Sequence, residues 1–511
     1  MDASAAEAGR DEVTGGHAAA RGGSHSSLLR TLVKSSGIYA LASVAAPFVS
    51  LILAPFLTSR LTPTDYGVLA VTNTAISLGI AVSQLGLGSA FFRAYNFDAA
   101  TEHDKRKVLA TVLTLLLLMS LSTTLIITVG AVPLAAVLLG SGSYASLIRL
   151  AAWSIFAQNL SVPAFAWMRA ENRALPFSLL AIVNLSVNLV GTIILVGVAQ
   201  MGVAGALLAT AAGYATVAAL SLPVIFARAG LSLRRDIIWS LLTFGVPQVF
   251  SFMSYWVLQI SDRYLLSRMV SLSETAHYSI AYSLGSVLGT LVVTPFALAW
   301  PTAMYAIAKR SDAGRIFRLV FDAFGTVLLL AAFGVSILST VLLDWLFPAS
   351  YRPAAPVIPL VALSLALYGM YTVYMTGANI RRMTWLGAIY VTAAAALNIA
   401  LNLVLIPRYG AMGAAISTLL AYVLLALVTL VVNQRIYPVP YGPWRFSAAL
   451  GGVVIIYGLG AVVGASAGVL RVPIGVIALL VAAGWLFAAG NGREAVRYWR
   501  GQSRATKPSA G

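Results

Sequence analysis

From residue 36 to residue 490 the chain alternates long apolar runs with short polar or charged segments. A hydrocarbon core of about 30 Å takes about 20 residues of helix to cross, and a helix satisfies every backbone group internally where no water is available. The runs therefore predict an all-α integral membrane protein of about fourteen transmembrane helices. They lie near residues 36–58, 66–92, 108–138, 145–168, 175–198, 202–226, 237–263, 275–303, 317–346, 354–378, 384–406, 411–433, 446–468 and 472–490, and the third and ninth runs are long enough to hold a turn at the membrane surface. Nothing between the runs is long enough to hold a soluble domain. Residues 1–27 lack the basic start and apolar core of a signal peptide, so they read as a disordered leader before an uncleaved first helix.

A fixed shift of 208 residues brings the two halves into register. Gly37 falls on Gly245, Ser59-Arg60 on Ser267-Arg268, Arg173 on Arg381, and QMGVAGALLATAAGY at 200–214 on RYGAMGAAISTLLAY at 408–422. Single matches of small residues in apolar helices carry little weight, but one offset serving four separated places points to duplication. With six helices per repeat, an even number, both copies enter the membrane from the same side. The repeats are then parallel, related by an axis along the membrane normal, with a central cavity between them. The expected organisation is a leader (1–29), an N-terminal six-helix lobe (30–230), a C-terminal six-helix lobe (231–436), two additional helices (437–492) and a basic tail (493–511).

Composition agrees: 59% of the 511 residues are hydrophobic and 10% charged, against about 25% charged in a soluble domain. Placing the N-terminus in the cytoplasm assigns 26 of the 33 Lys and Arg residues to inner segments. The outer side receives only Arg60, Arg149, Arg263, Arg268, Arg352, Arg408 and Arg471. That asymmetry fits the positive-inside rule, puts both termini at the cytoplasmic face of the cell membrane, and explains the net charge of +17 without a nucleic-acid partner. The chain has no cysteine, so thiolate chemistry is excluded; its four histidines show no metal-ligand spacing, and no lysine follows a glycine, so a P-loop is absent. No cofactor or metal is expected.

The segment SGIYALASVAAPFVSLILAPFLTSRLTPTDYGVLAV at 36–71, followed by SQLGLGSAFFRAY at 83–95, resembles the opening of the polysaccharide transporters of the multidrug, oligosaccharidyl-lipid and polysaccharide exporter superfamily. QISDRYLLSRM at 259–269 and NIALNLVLIPRYGAMGAAISTLLAY at 398–422 extend the resemblance across residues 30–435. It implies a Wzx-type flippase. Such a protein turns a polyprenyl-pyrophosphate-linked oligosaccharide from the inner to the outer leaflet for assembly of O-antigen, capsule or exopolysaccharide. The implied partners are this lipid-linked substrate, membrane lipids, and a polysaccharide polymerase and chain-length regulator.

Such a substrate calls for fixed cations and hydrogen-bonding groups within the membrane. Arginine pairs bidentately with phosphate oxygens, which makes Arg93, Arg149 and the Asp262-Arg263 pair candidates; snorkelling to the surface, or a local ion pair, is the structural alternative. Asn184 and Asn188, and again Asn398 and Asn402, form Asn-x-x-x-Asn faces suited to sugar contact or to interhelical hydrogen bonding. Asp322 sits inside an apolar run, where it could carry a coupling proton or pair with Arg318 one turn earlier. Pro55 and Pro247, in the equivalent first and seventh helices, are candidate gating kinks.

Three rival readings remain. A multidrug and toxin extrusion type antiporter for organic cations would need acidic lumen residues. A polytopic polymerase or ligase would need a large outer loop. A scaffold of a synthase complex would need neither.

Overall fold

The computed structural model describes residues 49–465 and 471–489, and among them the chain is helical with no strand. The helices are α1 (Val49–Arg60), α2 (Pro63–Asp98), α3 (Glu102–Val129), α4 (Ala145–Ala170), α5 (Ala174–Val198), α6 (Gly202–Ala229), α7 (Arg235–Met269), α8 (Leu272–Ile307) and α9 (Ala313–Leu346). They continue with α10 (Ala349–Ile380), α11 (385–409), α12 (411–436), α13 (Pro443–Ala465) and α14 (Arg471–Ala489). Eight of these described stretches are long and apolar enough to cross a membrane on length and composition alone. Large apolar side chains such as Leu125, Ile126, Leu298 and Leu480 stay exposed on the bundle's outside, where hydrocarbon rather than water is their solvent. The protein is a multi-pass membrane protein.

Local chemistry sets the helix ends. Thr62 caps α2 by accepting from the Asp65 amide at 3.2 Å, with Pro63 in the first turn, and Thr101 forms a reciprocal capping box with Asp104 at the start of α3. The third apolar run turns at Gly130 and continues as the short helix Ala131–Leu139, whereas the ninth is one continuous helix. Helix α2 breaks at Leu85 and Gly86, both left-handed, a bend the apolar periodicity does not announce. Pro55 lies in α1 and Pro247 in α7, the latter at a position whose side chain is outside the described set. Most of the first expected helix, and Gly37, also fall outside the described residues.

The duplication is visible in three dimensions. Gly202 and Gly410, one offset apart, both take a left-handed φ (57° and 54°) where α5 turns into α6 and α11 into α12. Both demand a residue without a Cβ penalty. Gly205 packs against the Leu195 carbonyl of α5, and Gly413 against the Leu405 carbonyl of α11. Ser59-Arg60 and Ser267-Arg268 each occupy the last turn of their helix. Helices α1–α6 and α7–α12 thus form two parallel six-helix lobes. The pair α13–α14 packs through Ala449, Val453, Ala478, Ala482 and Leu486 on Leu329 and Phe333 of α9.

The lobes touch at three levels. At one end Gly67 of α2 meets the Leu272 carbonyl of α8, and Tyr66 packs edge-on against Tyr351, with centroids 6.0 Å apart. Midway, Trp256 of α7 donates its Nε1–H to Ser77 Oγ of α2 at 2.8 Å. Toward the arginine-rich end, Gly86 meets the backbone of Gly245, and Arg93 lies 4.8 Å over the ring of Phe244.

Candidate substrate cavity

Between the first two of these contacts lies a cavity of about 700 Å³, lined from α1, α2, α5 and α6 on the N-terminal side and from α7 and α8 on the other. Its lining is unusual for membrane depth in its polarity. Asn73, Thr74 and Ser77 come from α2, Asn184, Asn188 and Thr192 from α5, Thr210 and Tyr214 from α6, Tyr255, Gln259 and Arg263 from α7, and Ser279, Tyr282 and Ser283 from α8. Polar groups inside a membrane are costly, so a polar cluster around a void is the candidate site. Among the described residues no carboxylate lines it, and Arg263 is its single charged side chain.

Arg263 is held by its neighbours rather than by an acid. Its Nη1 donates to the Gln259 carbonyl at 3.2 Å, and its guanidinium lies 4.6 Å from the Tyr282 ring centroid and 5.8 Å from that of Tyr278. Gln259 in turn accepts from the Tyr282 hydroxyl and donates to those of Tyr422 and Tyr255. The adjacent Asp262 turns the other way and is fully buried in the C-terminal lobe. It accepts from Tyr278 (2.6 Å), Asn402 (2.6 Å) and Thr418 (2.8 Å). Asn398 completes this cluster: its Oδ1 accepts from Asn402 one turn along α11, and its Nδ2 donates to Thr418 Oγ1 of α12. One residue of sequence separates a cavity cation from a buried structural anion because adjacent helical positions face about 100° apart.

The structure therefore divides the sequence candidates. Asn184, Asn188 and Arg263 line the cavity; Asp262, Asn398 and Asn402 lie buried beside it. Arg93 stacks on Phe244 at the arginine-rich end, and Arg149 is exposed in the second turn of α4, outside the cavity lining. Asp322 lies 3.8 Å from Arg318 in α9. Pro55 sits in the α1 segment whose Ala54 and Leu57 line the cavity. Sequence reasoning passed over Asn73, Tyr214, Tyr255, Gln259 and Tyr282. Their signal was present, as amides and phenols recurring on one face of apolar helices, but a phenol in a membrane helix is equally at home in packing or at the lipid interface.

A second space of about 250 Å³ lies between α1 and α8, lined by Ser50, Leu51, Ser283, Ser286, Val287, Thr290 and Leu291. Ser50 and Ser283 line both spaces, so the two are contiguous. Helix α8 loosens here into wider π-type turns at Gly289–Val293, directly before Pro295.

Residues 56–356, more than half of the chain, match the family described as polysaccharide biosynthesis protein. The chain belongs to that family. No curated protein matches it in sequence. Among solved structures it is similar to a lipid II flippase, MurJ, in an inward closed conformation (TM-score 0.72, 14% identity, covering 88% of this chain and 98% of that one). It is also similar to a multidrug resistance MATE family transporter of the MOP superfamily, in its inward-facing (TM-score 0.62, 16% identity, 80% and 98% covered) and outward-facing (0.53, 16%, 82% and 96%) conformations. At these identities the likeness is one of fold, and the fold is a transporter fold.

Proposed function

We propose that this protein is a flippase that carries a polyprenyl-pyrophosphate-linked oligosaccharide across the cytoplasmic membrane for surface polysaccharide assembly. The observation that carries this reading is the cavity's chemistry among the described residues: one arginine, no carboxylate, and a wall of amides, hydroxyls and phenols. An organic cation would find no counter-charge there. A glycan finds hydrogen-bonding partners and ring faces, and a phosphate finds the free edge of the Arg263 guanidinium. The volume of about 700 Å³ falls within the range of about 300–1,000 Å³ typical of small-ligand sites, which suits a short repeat unit rather than a finished polymer. The gap between α1 and α8 gives the polyprenyl tail a place to remain in lipid while the head group occupies the cavity.

In this reading the arginine-rich end is cytoplasmic and both termini face the cytoplasm. Rocking of the two lobes opens the cavity alternately by separating Gly67 from Leu272 or Gly86 from Gly245. Outward movement of an anionic head group from a negative interior is electrically downhill by about 2.3 kcal/mol per charge per 100 mV, so no nucleotide is required.

The test is reconstitution: proteoliposomes with a fluorescent polyprenyl-pyrophosphate oligosaccharide in one leaflet, and a parallel assay of organic-cation uptake. Transbilayer movement of the glycolipid is the expected result. Cation uptake without glycolipid movement would move the protein to the drug-antiporter class.

A further inference from the structure

The two lobes descend from one repeat, yet only one of them contributes most of the cavity wall, and the shared register shows which positions make the difference. Thr210 of α6 and Thr418 of α12 are equivalent, and each bonds an asparagine of the preceding helix: Asn188 to Thr210 at 2.9 Å, Asn398 to Thr418 at 3.4 Å. The threonines coincide under the 208-residue shift although their asparagines do not, since Asn188 falls on Ala396, and the filling around them differs. In the C-terminal lobe the space before Thr418 is occupied by Asp262 and Tyr278, both fully buried and bonded to each other at 2.6 Å. Shifted by 208 residues, those positions become Ala54 of α1 and Ala70 of α2, and both line the cavity. Where the second lobe holds a carboxylate and a phenol, the first holds two methyl groups; Ala54 is packed, 3% exposed, against core residues of the other lobe, whereas Ala70 is only partly buried and borders the open space.

We propose that Ala70 determines the size of head group this protein accepts, as the position at which the N-terminal repeat is kept hollow. The inference rests on the flippase reading. A side chain grown from Ala70 has the cavity to extend into, so it takes volume from the substrate rather than forcing apart a packed interface, the usual cause of loss from overpacking. Shape exclusion then acts on long glycans before short ones.

The experiment uses the full-length chain with Ala70→Phe and with the graded variant Ala70→Leu; folding is checked by thermal melting. Flipping is measured for a polyprenyl-pyrophosphate monosaccharide and for the same carrier with a tetrasaccharide. The expected result is a loss of about tenfold or more for the tetrasaccharide, a much smaller loss for the monosaccharide, and intermediate behaviour for Ala70→Leu. Equal loss on both substrates, or undiminished tetrasaccharide flipping by folded Ala70→Phe, overturns the proposal. A substrate-free arm separates it from the flippase reading. Because the chain has no cysteine, Ser283→Cys places a single isosteric thiol on the cavity wall at a partly exposed position. Its reaction with a bulky maleimide, but not with a methyl thiosulfonate, should fall in the Ala70→Phe background. If neither substrate moves in wild type but this selectivity appears, the flippase reading fails and the hollow-position assignment stands. If the bulky reagent reacts equally with and without Phe at position 70, the assignment itself fails.

Discussion

Replacing Arg263 with Gln removes the only charge that the described residues place on the cavity wall and leaves a shorter, neutral amide. The arginine makes one hydrogen bond to protein, from Nη1 to the Gln259 carbonyl, and rests on the Tyr282 face 4.6 Å away. Its remaining edge faces no carboxylate, because both oxygens of Asp262 are taken by Tyr278, Asn402 and Thr418. A hydrogen bond to a charged group contributes about 1.5–3 kcal/mol, and at about 1.4 kcal/mol per decade its loss predicts a fall of about 10- to 150-fold in flipping efficiency. Stability should change little, since only one hydrogen bond and two ring contacts are lost. The assay is initial flipping rate against glycolipid concentration, run for the pyrophosphate carrier and for the same glycan on an uncharged lipid. The charge argument predicts a large effect on the first and none on the second, with Arg263→Lys partly restoring the first. Equal loss on both lipids, or no loss on the pyrophosphate carrier, would refute it.

Three further outcomes follow from contacts already described. Gly67→Val and Gly245→Val each place a Cβ against opposing backbone, so a single cysteine at Ser283 should become more reactive from the end opposite the arginine-rich one in the first variant and from the arginine-rich end in the second. Unchanged reactivity in both would show that these glycines do not hold the lobes together. Asp262→Leu removes the acceptor of the Tyr278 and Thr418 hydroxyls and one of the two acceptors of the Asn402 amide, which keeps its bond to Asn398, at about 1–3 kcal/mol for each group left unsatisfied. A clear drop in melting temperature is therefore expected, largely recovered in Asp262→Asn, and a leucine variant that melts like wild type contradicts the buried-anchor role. Glu171, between α4 and α5, receives Tyr95 (2.7 Å), Arg228 (2.9 Å) and Arg173 (2.7 Å). Burial pulls its pKa up, but the hydrogen bond from Tyr95 and the charges of Arg228 and Arg173 outweigh it and hold the carboxyl below its ordinary value. A depressed folded pKa stabilises above the unfolded value and is lost as pH falls through the folded one, so Glu171→Gln should cost about 1–2 kcal/mol at neutral pH and nothing at strongly acid pH. A loss of melting temperature that persists unchanged into acid would contradict that sign.

The number of helices, their all-α character and the duplication were legible in the sequence because each rests on local or periodic information. A membrane span is a matter of twenty apolar residues, and a repeat is a matter of one constant offset. The match of Gly202 with Gly410 was legible as part of the clearest repeat, whereas the left-handed turn at each came only from the structure. What the sequence could not assign was the direction in which each polar residue points. Asn184 and Asn398 carry the same Asn-x-x-x-Asn signature, yet one faces the cavity and the other a buried hydrogen-bond cluster. The same division separates Arg263 from Asp262, its neighbour in the chain. Hydropathy shows that a polar side chain sits at membrane depth, but whether it meets a void or a partner depends on residues far away, here the small Ala54 and Ala70 in one lobe against Asp262 and Tyr278 in the other. The cavity is a property of which side chains fail to fill a shared frame, and only the packed tertiary structure records that.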